Sequence, residues 1–150
     1  MYNIMNKYTH ILTPIILACI VNIIIYKNGW NMKSKKEYTK TLLPPGYIIA
    51  IVWNVILGLL GYLHYLLWSF NNKKSSLASF SIILFVLFCL SYPFLTELDP
   101  SKGFTLNLLT LIFAIILAII VFNSTKNIKY LIYLMPLLLW SIYVNYVTNI

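Results

Sequence analysis

Few side chains in this sequence can do chemistry. It holds two histidines, His10 and His64, two cysteines, Cys19 and Cys89, and three acids, Glu37, Glu97 and Asp99. An imidazole readily ligates a metal or a haem iron, but each histidine is alone in its own apolar stretch. The cysteines also sit within apolar runs and read as small polarizable packing residues, not as a disulfide framework or a metal site. No Ser/His/Asp arrangement, paired carboxylates or metal-ligand cluster occurs within an apolar run, so a conventional enzyme lacks its groups. Ion conduction lacks its groups as well, because no carboxylate or lysine falls inside those runs. The aromatics remain, with Trp53, Tyr92, Trp140 and Tyr143 as the large candidates. Such residues either fill a membrane core or line an apolar cavity for a flat ligand held by stacking with few polar contacts.

The elements that must position these residues follow from the charges. The 150 residues are 61% hydrophobic and 9% charged, far below the quarter or so charged in a soluble domain. The net charge is +8, from 11 lysines, no arginine and three acids. Those charges leave five uncharged intervals, 8–26, 41–72, 75–96, 103–125 and 130–150. About 20 apolar residues in a helix cross a bilayer core of about 30 Å. In hydrocarbon the backbone must satisfy itself internally, which selects helices. The expected fold is all-α, an integral membrane bundle of five transmembrane helices in one domain over 1–150. Its spans are expected at about 8–26, 46–68, 76–96, 103–125 and 130–149. The pair Pro44 and Pro45, followed by Gly46, opens the second span. The first apolar run is longer than a signal-peptide core of roughly 7 to 15 residues, so it is read as a retained helix.

A lysine-rich loop beside a membrane contacts lipid head groups. Nucleic-acid binding would call for arginine interleaved with exposed aromatics, so membrane lipid is the expected partner and nucleic acid is not. The lysines divide five to six between the two sides and do not orient the chain.

At 100° per residue, the second span gathers Gly46, Ala50, Trp53, Asn54, Gly58, Gly61 and His64 on one side. Ile48, Val52, Val55, Ile56, Leu59, Leu63, Leu66 and Leu67 form the other. Small and polar residues segregate for close helix packing or for a pocket, so the first side is expected inside and the aliphatic side toward lipid. In the third span Ser81, Phe85, Cys89, Tyr92, Pro93 and Thr96 share a face, and because Pro93 removes an intrahelical hydrogen bond a kink is expected near Cys89. In the fifth, Tyr133, Pro136, Trp140, Tyr143, Val144 and Val147 align around a helix-interior proline. The fourth carries the small stripe Thr110, Ala114 and Ala118 and reads as a packing helix.

The run Leu43-Pro44-Pro45-Gly46-Tyr47, continuing through Val52-Trp53 to Gly61-Tyr62-Leu63-His64-Tyr65, resembles the second helix of the translocator protein family. That family is also called the tryptophan-rich sensory protein or peripheral benzodiazepine receptor family. Tyr92-Pro93 is similar to its third-helix aromatic-proline element, and Pro136 with Trp140 to its fifth-helix Pro-x-x-x-Trp element. Leu42, Tyr92 and Cys89 stand where the family usually has Trp, Trp and Asn.

The resemblance implies a five-helix, often homodimeric membrane protein of the receptor or transport type, with a cavity beneath the first loop. Its ligands would be tetrapyrroles such as haem or protoporphyrin, sterols, and benzodiazepine-type drugs. No cofactor is required, and the tetrapyrrole enters as ligand. In this chain the expected lining is Trp53 and Trp140 flanking, Cys89, Tyr92 and Tyr143 lining, and Ala50, Val144 and Val147 giving room. The 27–43 loop would act as a lid, while Pro44, Pro45, Gly58, Gly61 and Pro136 shape the frame. The alternatives are light-dependent porphyrin degradation, with Trp53 and Trp140 as electron donors, and a structural scaffold associating through small-residue stripes. The chain is expected to be multi-pass in a mitochondrial outer membrane, a bacterial membrane or, if viral, a host membrane.

Overall fold

The computed structural model describes residues 4–30, 44–70 and 73–148. Its five α-helices are α1 (Ile4–Lys27), α2 (Gly46–Trp68), α3 (Lys73–Leu98), α4 (Gly103–Thr125) and α5 (Met135–Thr148). Short 3-10 segments, Pro100–Lys102 and Ile128–Tyr133, precede α4 and α5, and no strand occurs among the described residues. Lysines or acids lie at the ends of α3 and α4 and near both ends of α1, because a charge is tolerated at a membrane interface and not in its core. Helices α1 to α4 are long and apolar enough to cross a membrane, so the chain is a multi-pass helical membrane protein. From residue 31 on, the lid expected over 27–43 lies outside the described residues, Leu42 and Leu43 included.

The fifth span differs from expectation. Instead of one helix from residue 130, α4 ends on Lys126 in the left-handed region at φ 52°. The Asn127 side chain then accepts from the Lys129 backbone N–H at 3.0 Å and starts the 3-10 segment. Pro136 is consequently the second residue of α5, not an interior one. In a first helical turn its missing N–H has no partner to lose. Six 3-10 residues and fourteen α residues together reach about 33 Å, enough to cross.

The tight α3–α4 connection is held by Asp99, whose Oδ1 accepts from the Ser101 hydroxyl at 2.6 Å. Lys102 pairs with its other oxygen at 3.3 Å. The Ser101 hydrogen bond first, and Lys102 second, hold this exposed carboxyl below its ordinary range.

Consecutive helices pack side by side, and α1 also touches α3. The core joins Ile56, Leu57, Leu60, Leu63 and Leu67 of α2 to Ala78, Ile82 and Phe85 of α3. Ala18 of α1, Ala114, Leu117 and Val121 of α4, and Leu134 and Leu137 at the start of α5 complete it. This corrects the expectation for α2, since Ile56, Leu63 and Leu67, assigned to lipid, are among its most buried residues. Lipid tails and neighbouring helices are equally apolar, so an aliphatic face does not declare which of the two it meets. Val55 and Ile51 are the aliphatic residues of α2 that stay exposed.

The small-residue side meets α1. A methyl added at Gly61 would run into the backbone carbonyl of His10, and one at Gly58 would meet the Ile15 side chain at 3.2 Å. On α4 the small stripe is buried at Thr110 and Ala114. The Thr110 hydroxyl donates to the Leu106 carbonyl at 2.8 Å, which satisfies it inside its own helix.

Candidate functional site

Because successive helices run in opposite directions, the ends of α1, α3 and α5 share one end of the bundle with the starts of α2 and α4. Each of the eight expected lining residues lies within about nine residues, roughly 14 Å, of that end. They are Ala50 and Trp53 on α2, Cys89 and Tyr92 on α3, and Trp140, Tyr143, Val144 and Val147 on α5. Trp53, Cys89 and Trp140 pack against the core cluster, and Val147 is 2% exposed. Tyr143 sits at the outer margin, its ring 5.6 Å from that of Trp140. At the same end Trp30, just past α1, meets the ring of Phe94 edge-on at 5.5 Å.

A polar network crosses this half of the bundle. The Tyr92 hydroxyl of α3 donates to Asn107 Oδ1 of α4 at 2.8 Å. The Asn145 side-chain NH2 of α5 donates to the Asn107 carbonyl at 2.9 Å and to the Ser141 carbonyl at 2.8 Å. Asn145 Oδ1 and the Ser141 hydroxyl, one turn apart on α5, are buried without a partner among the described residues. A buried polar atom left unmet is costly, and these two offer hydrogen-bonding capacity to an incoming group. Sequence reasoning missed Asn107 and Asn145. The signal was their amide in an otherwise apolar span, since polar side chains at membrane depth are rare and purposeful. Removing the hydroxyl in Tyr92→Phe is expected to weaken the fold by only about 0.6 kcal/mol, typical of a hydrogen bond between membrane helices. Thermal unfolding in detergent checks it, and a loss several times larger would show that the network holds the three helices together.

The eight residues line neither of two open grooves elsewhere. One, about 620 Å³, runs between α1 and α2 past Lys7, Ile11, Ile15, Asn54, Gly58 and Tyr62. The other, about 300 Å³, lies between α4 and the start of α5. Gly58 and Gly61 serve the α1–α2 contact. Pro45 immediately precedes α2, and Pro44 is partly buried beside it.

The opposite end of the bundle holds a second cluster. His10 and His64, each read from sequence as solitary, place their Nδ1 atoms 2.6 Å apart. Rings continue from this pair to Tyr65 at 5.9 Å from His10 and to Trp68 at 6.0 Å from His64. Tyr62 in turn meets Tyr133 at 5.3 Å, with the Lys7 ammonium 5.0 Å above its ring. Lys7, Lys73, Lys74, Lys126 and Lys129 surround this end, with no acid among the described residues there.

Fold and site together define a helical, multi-pass membrane bundle with aromatic side chains of both halves packed against its core. The model of the TspO/MBR family matches residues 10–149, nearly the whole chain, and the protein belongs to that family. No curated protein and no solved structure matches it.

Proposed function

We propose that this protein binds tetrapyrroles such as haem or protoporphyrin, or other flat apolar ligands such as sterols, within the half of the bundle that holds Trp53 and Trp140. The observation that carries the reading is that Trp53, Cys89 and Trp140, from three different helices, pack against one core cluster in the same half of the bundle. Membership of the TspO/MBR family supports it, as does the unmet hydrogen-bonding capacity of Asn145 and Ser141 in the same half. Trp53 and Trp140 supply ring faces for stacking, Cys89 and Tyr92 border them, and Ala50, Val144 and Val147 leave room. Trp53, Cys89 and Trp140 pack against the core, which places their side chains at its edge. Handling of a bound ligand, as receptor or carrier, needs no further cofactor. The scaffold alternative has lost its main support, since Gly58 and Gly61 face α1 of the same chain.

The test is titration of the detergent-purified chain with protoporphyrin, following tryptophan fluorescence quenching. The double variant Trp53→Ala, Trp140→Ala is expected to lose at least about tenfold in affinity, given roughly 1 kcal/mol for each aromatic pair removed. Quenching in that variant is read from Trp30 and Trp68 and from porphyrin absorbance. Unchanged affinity would remove the proposed pocket.

A further inference from the structure

His10 and His64 are 54 residues apart in sequence and meet across the α1–α2 contact, ring centroids 4.7 Å apart. Gly61 builds the meeting. With no Cβ there, the His10 backbone lies directly on α2, and His64, three residues on, stands on the same face. Two neutral imidazoles carry one N–H each, so at most one proton bridges the facing Nδ1 atoms when His64 keeps its own on Nε2. That Nε2 is buried without a partner among the described residues, which leaves Nδ1 as the nitrogen of His64 directed at another ligating group.

We propose that His10 and His64 form a two-imidazole chelate for a borderline first-row transition-metal ion such as Zn²⁺, which staples α1 to α2 at the lysine-rich end of the bundle. Imidazole suits this class of ion, and no thiolate or carboxylate is needed to hold it. Zn–N bonds of 2.0–2.1 Å at a tetrahedral angle set the nitrogens about 3.3 Å apart. The rings must therefore part by about 0.7 Å, a side-chain rotation that leaves the backbone contact at Gly61 in place. Tyr65 and Trp68 wall the pair, and Lys7, one turn before His10, is drawn aside onto the Tyr62 ring. Among the described residues no third His, Cys, Asp or Glu joins the pair, so water completes the coordination. The site lies at the end of the bundle opposite Trp53 and Trp140 and stands independently of the ligand reading.

Calorimetric titration of the detergent-purified chain with Zn²⁺ is the test, paired with thermal unfolding with and without the ion. The expected result is one ion bound per chain and a Zn²⁺-dependent rise in melting temperature. His10→Gln and His64→Gln should each weaken binding by at least about tenfold, the scale on which even outer-shell changes act. The double variant should fall no further than either single, because the chelate is already broken. Cys19→Ser should bind as the parent does. Absence of a melting shift in the parent chain overturns the proposal however the variants fold. Unchanged affinity in either single variant, or loss of binding in Cys19→Ser, overturns it too, and the pair is then a shared hydrogen bond only.

Discussion

Alanine at Gly61 is expected to drive α1 away from α2 and to destabilise the chain by about 3 kcal/mol, the upper range for overpacking a close contact. The magnitude follows from what the new methyl would strike. It would fall on the carbonyl oxygen of His10, with the neighbouring backbone of Ile11 also within reach. Backbone in a helix cannot step aside alone, so the whole of α1 must shift. Gly58→Ala is the matched comparison, because its methyl would meet only the tip of Ile15 at 3.2 Å. A side-chain tip rotates, so a loss under about 1 kcal/mol is expected there. Denaturant unfolding in mixed micelles, followed by far-ultraviolet circular dichroism, measures both. Equal losses at the two positions would refute the close approach at His10. Because α2 is the main partner of α1, the Gly61 variant should also separate His10 from His64.

The second large effect is expected at Leu63. Leu63→Ala should cost about 2 kcal/mol, while Val55→Ala, eight residues earlier on the same helix, should cost almost nothing. Leu63 is 0% exposed within the core cluster and Val55 is 55% exposed on the outside of the bundle. In water a buried Leu→Ala change loses both transfer energy and packing, in total roughly 2–5 kcal/mol. In a bilayer the transfer part largely vanishes, because lipid is as apolar as the core. What remains is the dispersion energy that the atoms around the new cavity no longer gain. The same micelle unfolding assay reads both variants, and a Val55→Ala loss as large as that of Leu63→Ala would reverse the assignment of faces.

Helix positions were legible in the sequence because lysines and acids punctuate the apolar runs, and α2 and α4 begin and end with residues that could be named in advance. Which aliphatic face of α2 meets protein was not legible, since Leu63 and Val55 are both at home in lipid. The close approach at Gly58 and Gly61 could be anticipated from residue size alone. Its partner could not, because no pattern within one helix names the residue on another. His10 and His64 illustrate the point, being solitary in sequence and neighbours in the fold. The proposed lining rests on facing and family pattern, while Asn107, which ties Tyr92 to Asn145, belongs to a helix that looked like plain packing.

Four of the eight proposed lining residues ride on α5, the shortest of the five helices, which has the length of a membrane crossing only with the 3-10 segment Ile128–Tyr133 before it. A 3-10 residue rises about 2.0 Å against 1.5 Å for an α residue, so rewinding those six residues would shorten the crossing by about 3 Å. Organelle membranes differ in hydrocarbon thickness by a similar few ångströms. The six residues Ile128–Tyr133 thus hold, in their winding alone, a length difference as large as the one between such membranes.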